Sequence, residues 1–92
     1  MHFLELTEIW AKENGWWTWL CGPVEDGYLH IAKYDPFITS ESLIEPPRVF
    51  TLWANGAWDL NGEYPTDDKQ RLEPADPDFF LNLKYLVVTN VS

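Results

Sequence analysis

A chain of 92 residues, 46% hydrophobic and 16% aromatic with six Trp, is sized for one domain with a modest core and is too apolar for a disordered acidic tail. Fifteen acidic against six basic residues leave a net charge of −9, a field that repels DNA, RNA and anionic membranes. No apolar run reaches membrane-spanning length, the N-terminal MHFLELTEIW carries acids where a secretory signal carries bases, and Cys21 has no second cysteine to pair with, so the expected compartment is a reducing cytoplasm.

His2 to Trp10 has two readings. Phe3, Leu6, Ile9 and Trp10 have helical spacing, with Thr7 as a candidate cap. The segment is short, however, and runs through Glu13-Asn14-Gly15 into the apolar Trp16-Trp17-Thr18-Trp19-Leu20. Asn-Gly between apolar runs is a hairpin signal, so the spacing predicts strand, turn, strand. On the second of these strands Trp17 and Trp19 share a face and Trp16 points the other way.

Gly27 to Tyr34 reads as the next strand, with Tyr28, His30, Ala32 and Tyr34 on one face and Leu29, Ile31 and Lys33 on the other. Phe37 to Ile44 reads as a short strand or an irregular turn. Arg48 to Leu60 is the best-defined element, a hairpin around Asn55-Gly56. A two-residue type I′ turn there sets Trp53 opposite Trp58 and places Val49, Thr51, Trp53, Trp58 and Leu60 on the core face, with Phe50, Leu52 and Asp59 on the other. Asn61 to Asp78, with three prolines, reads as an ordered loop with one helical turn around Thr66 to Leu72. In Phe79 to Val91, Asp78 to Leu81 could start a helix, but Tyr85-Leu86-Val87-Val88-Thr89 reads as a buried strand.

These elements predict a single, mostly β domain: a small SH3-like barrel or curled antiparallel sheet of about five strands, with α+β and one short helix as the alternative. The stretch FLELTEI and the later DPFITSESLIEPPRVFTLWANGAWDLNGEYPTDD resemble the small FlbD-type flagellar proteins and the short phage and bacterial proteins similar to them. The resemblance covers about half the chain and implies a compact SH3-like β-fold. In size and charge alone, the chain is also similar to phage-carried acidic inhibitors such as anti-CRISPR proteins and DNA mimics.

Catalytic chemistry finds little footing. Cys21, His2 and His30 are the only candidates for a nucleophile–base pair, and no third orienting group is evident. Zinc needs more Cys and His than the chain has. The Asp59-Leu60-Asn61-Gly62-Glu63 stretch fails the calcium-loop pattern, with glycine fourth instead of sixth and Gln70 at the twelfth position. No enzyme activity, cofactor or metal site is expected.

The remaining signals point to protein binding. Between Asp59 and Asp78 stand seven acids (Asp59, Glu63, Asp67, Asp68, Glu73, Asp76 and Asp78) against Lys69 and Arg71, a local balance of −5. The bland reading is a solvated loop. The sharper one is a platform whose carboxylates imitate phosphates for a Lys/Arg groove, with Trp16, Trp17 and Trp19 as apolar anchors. The expected function is inhibition of a basic, nucleic-acid-handling protein in the cytoplasm, that of a bacterial host if the chain is phage-encoded. The alternatives are an assembly module of the FlbD type and, third, a carbohydrate-binding module.

Overall fold

The chain begins with a helix, α1 (Phe3–Glu13), because the sequence closes it at both ends. The computed structural model describes residues 1–36, 47–60, 65 and 70–91. At the N-terminus the His2 imidazole Nδ1 accepts from the Leu4 N–H at 3.1 Å, and the Glu5 carboxylate accepts from the His2 N–H at 3.3 Å. This is the reciprocal logic of a capping box, with histidine in the place usual for serine or threonine. Thr7 is no cap; it lies inside the helix, buried, its hydroxyl donating to the Phe3 carbonyl at 2.7 Å.

At the other end Gly15 takes φ +82° and donates to the Lys12 carbonyl, while the Trp16 N–H reaches back to Ala11 at 2.9 Å. That pair of bonds is a Schellman stop. The expected first strand is therefore corrected to a helix. Hairpin turns and helix stops both recruit glycine to the left-handed region, and here Asn14-Gly15 serves the helix.

Four antiparallel strands follow in meander order: β1 (Trp17–Cys21), β2 (Tyr28–Ala32), β3 (Phe50–Trp53) and β4 (Trp58–Asp59). In β2 the expected alternation holds from Tyr28 to Ile31, and Ala32 beyond it is buried as well. Leu29 and Ile31 are fully buried on one face, and Tyr28 and His30 stand on the other.

The second hairpin is shifted by one residue from expectation. Leu52 pairs with Trp58 and Thr51 with Asp59, so Trp53 lies across from Ala57, the two joined by a Trp53 N–H to Ala57 O bond of 2.8 Å. Three residues, Ala54 to Gly56, make the turn. Only Gly56 has positive φ, at +92°, so the turn is not type I′, which needs positive φ at both central residues. It matches the three-residue loop that ends on a left-handed glycine. The slip exchanges the two faces of β3, while on the other arm Trp58 and Leu60 stay on the core side as expected. Phe50 and Leu52 are the core residues, and Phe50 stacks on Trp58 with ring centroids 5.6 Å apart.

The expected C-terminal strand is a helix, α2 (Phe79–Val91). Its buried residues Phe79, Leu83, Val87 and Val91 recur every four positions while Leu81, Tyr85 and Thr89 midway between them are exposed; a helix separates the two sets, whereas a strand would put both on one face. That spacing outweighs the β-preference of Val87-Val88-Thr89.

One core holds these parts together. Leu4 and Ala11 from α1, Leu29 and Ile31 from β2, Phe50 and Leu52 from β3, and Leu83 and Val87 from α2 form a single buried cluster. Leu29 opposes Leu52 and Ile31 opposes Phe50, so these four lie on one face of the sheet, and both helices cover that face. The domain is two-layered α+β, with two helices on a four-stranded sheet; it is not a closed barrel. Phe37 to Ile44 and most of Thr66 to Leu72 lie outside the described residues. Among those described, no helix is long and apolar enough to cross a membrane.

Candidate functional site

With the helices on one face, side-chain alternation sends the other set of strand residues to the opposite face. Across it, register pairs Trp17 with Ala32, Trp19 with His30 and Cys21 with Tyr28, then His30 with Thr51 and Tyr28 with Trp53. The rings touch in series. Trp17 meets Trp19 edge-on at 6.4 Å, Trp19 meets His30 at 6.3 Å, His30 meets Tyr28 at 4.9 Å, and Tyr28 meets Trp53 at 6.4 Å. Trp19 is 47% exposed, a large fraction for an indole in the middle of a strand. A run of aromatic rings on a sheet face away from the main core is the kind of surface enriched at protein interfaces.

His30 sits at the centre of this face. Its Nδ1 lies 2.9 Å from the Thr51 hydroxyl. Thr51 is 1% exposed, so the hydroxyl is closed to substrate and the pair works as a cross-strand tie. Burial pushes the His30 pKa below the ordinary histidine value. The unfolded chain therefore takes up a proton near pH 6.5 while the folded chain still resists it. Stability should fall as pH drops through that range, then level off below the folded pKa, where both states are protonated. Urea midpoints at pH 7.5 and 5.5 for wild type and His30→Gln test this, since the variant should lose less stability on acidification. Equal losses would assign the pH dependence to other groups. Next to His30, the Tyr28 hydroxyl is raised above its ordinary pKa, chiefly by a hydrogen bond with Cys21 and then by the charge of that neighbour.

Among the described residues, those expected to bind a partner do not form one surface. Trp17 and Trp19 lie on the aromatic face, and Asp59 joins them through its pairing with Thr51; its carboxylate accepts from Gln70 Nε2 at 3.2 Å. Trp16 points the other way and packs against the core. Glu73, Asp76 and Asp78 form the entry to α2. Glu73 accepts from the Ala75 N–H, Asp76 from the Asp78 N–H at 2.8 Å, and the Asp78 carbonyl from the Asn82 N–H. Glu63, Asp67 and Asp68 lie outside the described residues. The expectation that acids 59–78 act together thus meets a divided arrangement, in which Asp59 stands on the sheet while Glu73, Asp76 and Asp78 lead into the helix layer.

Sequence reasoning missed Tyr28, His30 and Trp53 as site residues, together with Glu25 and Asp26 in the β1–β2 turn. The signal for the first two was present, since alternation with Leu29 and Ile31 set them on the far face. Trp53 was hidden by the one-residue slip. Among the described residues, no group of three or more His, Cys, Asp or Glu side chains is placed to hold a metal ion.

The class these observations define is a two-layer α+β domain with an aromatic sheet face. Compared with known protein families, with curated proteins and with solved structures, the chain matches none, so the FlbD-type resemblance has no family match behind it.

Proposed function

We propose that this chain is a small acidic, non-enzymatic binding protein that blocks a basic, nucleic-acid-handling protein by steric and electrostatic occlusion, with an anti-CRISPR-like or other phage-encoded inhibitor, acting in a host cytoplasm, as the concrete case. The observation that carries this reading is the aromatic face, Trp17 through Trp53, on a molecule of net charge −9. Desolvated aromatic rings supply affinity at interfaces. Like-signed charge around them selects a partner of opposite sign and speeds its approach. The acids beyond the described residues, Glu63, Asp67 and Asp68, add to the field whatever their placement.

The test retains basic proteins from a lysate on the immobilised chain, purifies the dominant one, and measures its affinity at low and physiological salt. Wild type is compared with Trp19→Ala and with Asp67→Lys/Asp68→Lys. The expected partner binds nucleic acid, loses that ability in the complex, and is released as salt rises, because exposed charge pairs are screened over about 8–10 Å. Charge reversal should weaken binding and leave the fold intact. A partner that is neutral or acidic, or that binds nucleic acid equally well in the complex, would overturn the reading.

A second reading, the assembly module, is favoured by α2. Leu81, Tyr85 and Val88 are exposed at 66%, 70% and 45%, spaced four and three apart on a helix with no acidic residue and one charge, Lys84. Two copies could meet there without opposing carboxylates. Sedimentation equilibrium would show a dimer that Tyr85→Glu dissociates.

A further inference from the structure

At one end of the sheet two turns lie side by side. The β1–β2 turn carries Glu25 and Asp26 and is closed by an Asp26 N–H to Pro23 O bond of 3.0 Å; the β3–β4 turn carries Ala54 and Asn55. An Ala54 N–H to Gly27 O bond of 3.1 Å ties them. Trp53 precedes the second turn and lines two hollows of about 170 Å³ each, its ring lying 6.4 Å from that of Tyr28. One, on the aromatic face, is lined by Tyr28, His30, Thr51 and Trp53. The other, at the sheet's end, is lined by Glu25, Asp26, Gly27, Trp53, Ala54 and Asn55.

We infer that this double hollow is the acceptor for one arginine side chain of the partner, with the aliphatic stem against Tyr28 and Trp53 and the guanidinium passing over the Trp53 indole to the carboxylates of Glu25 and Asp26. The inference rests on the reading of a basic partner and assigns it an anchoring contact. The chemistry selects a cation because an indole face is negative and the acidic residues Glu25 and Asp26 line a hollow with Trp53. It selects arginine over lysine because a flat guanidinium stacks on a ring and still presents its fork of donors to a carboxylate, whereas a compact, strongly hydrated ammonium does one or the other. The Tyr28 and Trp53 rings of the first hollow suit the arginine stem. Glu25 and Asp26 lie outside the acid-rich stretch 59–78, so this contact is separable from the diffuse field of that stretch.

The probes are acetylated arginine amide, its lysine counterpart and a hexa-arginine peptide, titrated into the isotope-labelled full chain and followed by NMR. Arginine amide should give saturable shifts at the Trp53 indole N–H and at the amides of Asp26 and Asn55, with lysine amide weaker. Asp26→Asn and Trp53→Leu should each weaken the arginine response about threefold or more, the size of an exposed cation–π or single carboxylate contact. Asp26 is exposed, so its variant keeps the readout open if Trp53→Leu disturbs the sheet. Arginine shifts confined to Trp17, Trp19 or residues 59–78, or binding by hexa-arginine that leaves Trp53 and Asp26 unmoved, would overturn the arginine acceptor while the basic-partner reading stands. No saturable response to any of the three probes would overturn both.

Discussion

Gly56→Val is expected to remove most of the stability of a marginal domain of this size. Two independent demands meet at this glycine. Its φ of +92° lies where a β-branched residue is strained, a cost of about 1–3 kcal/mol. It is also buried, and a Cβ placed there would collide with the Leu72 carbonyl, a backbone atom unable to swing aside as a side-chain tip would. Relieving that collision pulls away the strand-like return of the chain, in which the Leu72 N–H donates to the Gly56 carbonyl at 2.7 Å and Ala57 bridges to Arg71. Together the two effects approach the low end of a small domain's total stability, about 5 kcal/mol. Gly15 provides the control. It too has positive φ, but a Cβ there meets nothing within 4 Å, so Gly15→Ala should cost only the backbone term of about 1–2 kcal/mol. Urea denaturation of Gly56→Val, Gly56→Ala and Gly15→Ala orders the three. Gly56→Ala no worse than Gly15→Ala would mean that Leu72 does not pack on the turn.

Phe50→Ala is the second large loss, expected at about 3–5 kcal/mol. Phe50 is fully buried at the start of β3, pairs with Ile31 on β2, and stacks on Trp58 at an interplanar angle of 17°. Removing the ring opens a cavity in the core cluster and takes away the ring stacked on Trp58. Phe80→Ala is the matched comparison. Phe80 is 38% exposed and meets Trp10 at 6.0 Å, so its loss should cost well under half as much. Chemical-denaturation midpoints with unchanged slope would measure both. Equal losses would mean that the core lies on the other face of the hairpin, as the unshifted register would have it.

That register marks the limit of what the sequence shows. Strands β1 and β2 were legible because period-2 alternation is a property of neighbours, and Leu29 and Ile31 against Tyr28 and His30 displays it plainly. The hairpin's existence was legible too, but its register turned on whether the loop holds two residues or three. Asn55-Gly56 suits the first and Gly56 alone the second, and the choice depends on Leu72, sixteen positions away. The helices failed for a related reason. Asn14-Gly15 signals a left-handed residue without saying which motif uses it, and the run of β-formers in α2 hides a four-residue spacing that matters only once a sheet lies beneath it. The acidic stretch was visible as composition, but composition cannot say that Asp59 and Asp78 belong to different layers. The aromatic face needed pairing between β2 and β3, which are separated by a long connection.

The order of the elements has a consequence for synthesis. Sheet and α1 are complete in the chain by Asp59, yet Leu83 and Val87, which seal Leu29, Ile31, Phe50 and Leu52, belong to a helix made after every strand. At roughly 5–20 residues per second, α2 leaves the ribosome on the order of seconds after β4. For that interval the nascent chain carries a half-covered apolar sheet, the kind of surface that recruits chaperones or aggregates. Substitutions that slow or weaken α2 should therefore reduce the yield of soluble protein by more than their effect on the stability of the finished fold.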